Sequence, residues 1–82
     1  MNISFEYYKV FYYVAKYKKI SSAAEELFVS QSAVTQTIQK LEEQLGGNLF
    51  VRTKTGIELT EIGNKLYNSI YESIEILEVQ KN

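Results

Sequence analysis

Apolar positions recur with a helical period through four stretches of the chain and with a strand-like period through one. Over residues 4–17, Phe5, Tyr8, Phe11, Tyr12 and Ala15 follow the i, i+3, i+4 spacing that places one apolar stripe on a helix. The pairs Tyr7-Tyr8 and Tyr12-Tyr13 put aromatic rings on neighbouring faces, which suits the covering of a small core. Lys16, Lys18 and Lys19 follow at the C-terminal end, where the helix dipole favours cations. Ala23, Ala24, Leu27 and Phe28 predict a short second helix over about 22–28. Ser21 or Ser22 would start it, and Ser22 with Glu25 has the spacing of a capping box. A third helix is expected over 31–45, N-capped by Ser30, with Val34, Ile38, Leu41 and Leu45 facing inward and Gly46-Gly47 ending it.

Beyond the glycines the period changes. Leu49 to Thr53 and Ile57 to Leu59 are two short β-rich runs around Lys54-Thr55-Gly56, which reads as a hairpin over 49–59. Thr60 then caps a last helix of about 20 residues, with Glu61 in its first turn. Tyr67, Ile70, Ile74 and Leu77 give it a heptad-like seam that Ile62 and Leu66 extend. The expected architecture is mainly α: a winged helix-turn-helix of three helices and a β-hairpin over 1–60, followed by a linker or dimerisation helix over 61–82.

Composition narrows the chemistry. The 82 residues suit a single small domain with a thin core, so a long apolar helix left over calls for a partner such as a second copy. The chain has no Cys, His or Asp. Thiol nucleophiles, disulfides, imidazole or thiolate metal sites and the usual general base near neutral pH are thereby excluded. Neither an enzyme nor a cofactor site is expected. No signal peptide or run of apolar residues long enough for a membrane span is visible, and cytoplasm is the expected compartment. The net charge of −1 is unusual for a nucleic-acid binder. It is unevenly placed, however. Glu72, Glu75 and Glu78 face only Lys81 in the last segment, whereas residues 1–65 hold eight basic and seven acidic side chains.

The densest motif runs from Ile20 to Gln39. Ala24 is small where two helices must cross closely. Ala23, Leu27, Val29, Val34 and Ile38 supply the inner side, and Phe28-Val29-Ser30 forms the turn, with Phe28 at the place where glycine is usual. Opposite the inner side of the third helix lie Ser32, Thr35, Gln36 and Gln39, with Gln31 and Ser32 at the end that enters a major groove in this motif. Short neutral donors and acceptors are what reading of base edges requires.

In order and without gaps, the chain shows Val14-Ala15, then Ser22-Ala23-Ala24-x-x-Leu27-x-Val29-Ser30-Gln31-Ser32-Ala33-Val34-Thr35. Ile38-x-x-Leu41-Glu42-x-x-Leu45-Gly46, Leu49-Phe50-x-Arg52 and Leu59-Thr60-x-x-Gly63 follow. From about Tyr8 to Gly63 this resembles the N-terminal domain of LysR-type transcriptional regulators. The resemblance implies promoter binding in bacteria and a last helix that pairs with a second copy. It also implies a larger effector-binding domain beyond that helix, so small-molecule sensing would lie outside these residues. By position it assigns base contacts to Gln31, Ser32, Thr35 and Gln36. Backbone and wing contacts fall on Ser21, Ser22, Arg52, Thr53 and Lys54. The spacing of the last helix itself puts pairing of copies on Ile62, Leu66, Tyr67, Ile70, Ile74 and Leu77, with folding back of that apolar stripe on its own domain as the alternative. Lys18-Lys19 replace a common Gly-Ser, Gln36 stands where Arg is frequent, and Thr55 stands where the wing often has Arg, so fixed cations are fewer than in most relatives.

Gln31 or Gln36 would pair with adenine N6/N7 and the Thr35 methyl would touch a thymine methyl. With no cation on the outer face of this half-helix, an A·T-leaning half-site is expected. Arg52 and Lys54 would reach phosphate or the minor groove, with a salt bridge from Arg52 to a nearby Glu as the alternative. Lys16, Lys18, Lys19 and Lys40 are further phosphate candidates. A winged-helix module that binds a protein instead of DNA is the competing reading, favoured by the near-neutral charge.

Overall fold

The computed structural model describes residues 5–81, with side chains described as far as Ile76. Six elements follow in order: α1 (Phe5–Tyr17), α2 (Ile20–Leu27), α3 (Gln31–Leu45), β1 (Phe50–Thr53), β2 (Gly56–Leu59) and α4 (Glu61–Lys81). The strands form an antiparallel hairpin in which Phe50 pairs with Leu59 and Thr53 with Gly56. This is a winged helix-turn-helix followed by a long helix, as the apolar pattern predicts.

Helix α1 is the hub, packing against α2, α3 and α4. Its Phe11, Tyr12 and Val14 are almost fully buried, and Ala23, Ala24, Val34, Ile38, Leu41, Leu49 and Ile74 close around them. The inward faces of α1 and α3 match the predicted stripes, with one correction. Phe5 is 45% exposed, because the other elements pack against the later turns of α1 and leave its first turn uncovered.

The start of α2 is also corrected. The helix begins at Ile20, and Lys19 occupies the N-cap with extended backbone and no side-chain cap. Lys18 turns the chain sharply at φ 55, so the helix starts at once and the Lys19 carbonyl accepts from the Ala23 amide at 3.2 Å. Ser21 and Ser22 therefore lie inside the first turn, and the Ser22–Glu25 capping box does not form. At the hairpin, Gly56 belongs to β2 and Leu49 precedes β1.

The inner seam of α4 faces its own domain. Tyr12 stacks on Tyr67 with centroids 5.6 Å apart and planes 4° apart. The Tyr12 hydroxyl donates to Glu75 Oε2. Burial, then the Glu75 carboxylate, push the Tyr12 phenol well above its ordinary pKa. Ile74 is 1% exposed within the single chain, so it has no surface left for a second copy. Tyr67 and Ile70 also pack on this core, and the Leu77 side chain lies outside the described ones.

Three elements meet at Leu49, which is fully buried. Its amide donates to Glu42 Oε2 at 2.8 Å, and its carbonyl accepts from the Thr60 amide at 3.0 Å. Thr60 donates its hydroxyl to the Asn48 carbonyl at 2.6 Å and accepts from the Gly63 amide at 3.0 Å, which is the expected N-cap. Gly63 is glycine for want of space: a Cβ there would stand directly against the Leu49 carbonyl oxygen and 2.9 Å from Leu59 Cδ2. Backbone would have to move to admit it, so Gly63→Ala is expected to cost about 2–3 kcal/mol in urea denaturation. The exposed neighbour substitution Asn64→Ala should stay within about 0.5 kcal/mol.

Candidate nucleic-acid interface

The turn between α2 and α3 closes by backbone bonds. The Phe28 amide donates to the Glu25 carbonyl at 3.2 Å and the Val29 amide to the Ala24 carbonyl at 3.1 Å. These are the two bonds of a Schellman motif, which calls for a left-handed residue at the position of Phe28. Phe28 takes that conformation, φ 58 and ψ 42, without glycine's freedom, and its ring is 93% exposed. Ser30 then adopts extended backbone and its Oγ accepts from the Ala33 amide at 3.0 Å, starting α3 as expected.

On α3, Val34, Ile38 and Leu41 are buried, and Gln31, Ser32, Thr35, Gln36 and Gln39 are exposed. At about 100° per residue these five span one continuous polar arc. Helix and wing border two grooves. One, of about 290 Å³, is lined by Lys18, Lys19, Ser21, Gln31, Arg52 and Ile57, among others. The other, of about 200 Å³, includes Thr35, Gln39, Val51 and Arg52. Gln31, Thr35, Ser21 and Arg52 are thus brought together. Ser32 and Gln36 lie further round α3, and Ser22 borders a different depression with Tyr17, Glu26 and Phe28. Gln39 joins Thr35 and Arg52 although only its place on the polar stripe signals it.

The wing is exposed at Arg52, Thr53 and Lys54. Thr53 holds the turn closed by donating its hydroxyl to the Gly56 carbonyl at 3.2 Å. Arg52 has no ion pair among the described residues, so its expected alternative, a bridge to a Glu, is not made. Lys16 is drawn the other way: its ammonium lies 5.7–5.9 Å from the ring centroids of Tyr12, Tyr13 and Tyr17. That position over aromatic faces stabilises the cation, by about 0.5–1 kcal/mol at an exposed site. The remaining chemistry is that of a shallow polar surface with neutral donors and acceptors at its centre and cations at its edge.

Residues 5–64 match the family model described as bacterial regulatory helix-turn-helix protein, lysR family. The chain is similar to the HTH-type transcriptional regulator DsdC of Escherichia coli (strain K12). The two are 43% identical over 63 residues, 77% of this chain and 20% of that protein. It is also similar to the RuBisCO operon transcriptional regulator of Allochromatium vinosum, 35% identical over 88 residues, 99% of this chain and 29% of that protein. The chain therefore spans less than a third of these relatives' length. Among solved structures it resembles the crystal structure of the CbnR DBD–DNA complex. That likeness has a TM-score of 0.81 and 33% identity, covering 96% of this chain and 91% of that one.

Phe28 sets a test of the turn. A left-handed side-chain-bearing residue costs about 1–2 kcal/mol, and an exposed ring recovers little by burial. Phe28→Gly is expected to raise stability by about 0.5–1 kcal/mol in thermal denaturation, glycine's greater unfolded-state entropy offsetting part of the relief. A loss of stability would show that the ring supports the turn.

Proposed function

The chain belongs to the LysR family of bacterial regulatory helix-turn-helix proteins, and we propose that it binds double-stranded DNA sequence-specifically through α3 and the wing. The carrying observation is the continuous polar arc of Gln31, Ser32, Thr35, Gln36 and Gln39, set beside Arg52 and opposite a fully buried face. The N-terminal half of α3 enters the major groove. Gln31 or Gln36 pairs with adenine, and the Thr35 methyl meets thymine. Ser21 and Ser22, in the first turn of α2, join Arg52, Thr53 and Lys54 on the DNA backbone or the minor groove. The relatives are named as transcriptional regulators, and regulation of transcription is the role we assign here. A small-molecule effector, where one acts, binds outside these residues. No helix among the described residues is long and apolar enough to cross a membrane, and we place the protein in the cytoplasm with its DNA.

Two copies pair through the outward face of α4. Ile62, Leu66, Ser69, Ser73 and Ile76 are spaced by four, three, four and three residues, with Leu66 half-buried at the border of the domain's own core. Ile62 is 43% exposed and Ile76 50%. That is a second seam beside the inward one of Tyr67, Ile70 and Ile74, and it replaces Ile74 in the dimer contact. A two-fold pair would set the recognition helices about one turn of DNA apart, or a multiple of it.

Selection from random duplex DNA with the purified chain tests both statements. Paired A·T-leaning half-sites are expected, with binding that weakens steeply as salt rises. Ile76→Glu should reduce the selected sequence to single half-sites. Enrichment of G·C at the contacted positions, or no enrichment at low salt, would contradict the proposal.

A further inference from the structure

The turn between α1 and α2 is fastened to the wing by a charge. Lys18 Nζ lies 3.2 Å from Glu58 Oε1 on β2, with both side chains about half exposed. The backbones approach as well: Gly56 takes φ +143, and a Cβ there would lie 3.5 Å from the Lys18 carbonyl oxygen. Hairpin register sets the direction of the pull. Arg52 pairs with Ile57 and Glu58 with Val51, so Arg52 and Glu58 project from opposite faces of the wing. Lys18 stands at the rim of the groove lined by Lys19, Ser21, Gln31 and Arg52, yet its ammonium is tied to a carboxylate belonging to the other face. Among the described residues neither Lys19 nor Arg52 has an ion pair.

We propose, on the premise that this face binds duplex DNA, that Glu58 is a built-in counter-charge that withholds Lys18 from the phosphate backbone. The groove then neutralises fewer phosphates than its lysines and arginine would allow. An exposed pair of this kind is weak, so a phosphate can compete with it, and the carboxylate lowers affinity without abolishing it. Removing the carboxylate frees a cation at the interface without adding one.

The experiment measures binding of the purified chain and its variants to a short random-sequence duplex across a range of salt concentrations. Circular dichroism checks that each variant is folded. Glu58→Gln is expected to tighten binding roughly two- to fivefold near physiological salt. It should also steepen the plot of log K against log salt by about 0.9, the share of one neutralised phosphate. Lys19→Ala should flatten that plot by about the same amount, and Lys18→Ala alone should change it little. In the double variant Lys18→Ala/Glu58→Gln the gain should disappear. That last result separates release of Lys18 from simple loss of repulsion between Glu58 and DNA, which would persist without the lysine. Binding that does not respond to Glu58→Gln, or a gain that survives removal of Lys18, overturns the proposal and leaves the DNA reading standing. Absence of binding by every variant and by the unaltered chain at low salt overturns both.

Discussion

Leu49 is the point on which the geometry of this domain depends. Its side chain is fully buried, its amide is held by the Glu42 carboxylate and its carbonyl by the Thr60 amide. Burying a leucine contributes about 1.5–3 kcal/mol, and a hydrogen bond to a charged acceptor about 1.5–3 kcal/mol more. The larger consequence is geometric. Glu42 sits on α3, Leu49 leads into the wing and Thr60 starts α4, so one residue fixes three elements relative to one another. Gly63 allows α4 to lie against the Leu49 carbonyl, where a Cβ would force it away.

From that junction the two surfaces proposed to meet DNA acquire a fixed relation. α3 is held along its inner side by Val34, Ile38 and Leu41, which leaves the outer side of its N-terminal half exposed at Gln31, Ser32, Thr35 and Gln36. The wing begins one residue after Leu49 and places Arg52 beside Thr35 and Gln39. α1 packs behind both and binds α4 through the Tyr12–Tyr67 stack and the Tyr12–Glu75 hydrogen bond. α3, the wing and α4 are therefore carried on one small core.

Much of this was legible in the sequence where one period dominates. The inward stripe of Val34, Ile38 and Leu41 left the polar arc of α3 by subtraction, and Ser30 and Thr60 cap where their residue types suggest. Other features follow from backbone conformations that residue type does not disclose. Lys18 and Phe28 both adopt left-handed geometry at places where glycine would announce it, so α2 starts earlier than Ser21 and Ser22 suggest and ends in a turn that no glycine marks. On α4 the 3-4 spacing of Tyr67, Ile70 and Ile74 marks a buried face without saying what buries it. The fold answers that its own α1 does, and only the exposure of Ile62 and Ile76 reveals the second stripe. The meeting of Glu42, Leu49, Thr60 and Gly63 was visible as separate motifs, but their contact depends on tertiary approach.

The most direct test of the central claim is an amide NMR titration of the isotope-labelled chain with an A·T-rich duplex obtained by selection. The largest shifts are expected on Ser21, Ser22, residues 31–36 and residues 52–54, with α1 and the inward side of α4 little changed. Shifts centred instead on α1 and α4, with the α3 arc and residues 52–54 silent, would contradict that claim and place the binding surface away from the helix-turn-helix.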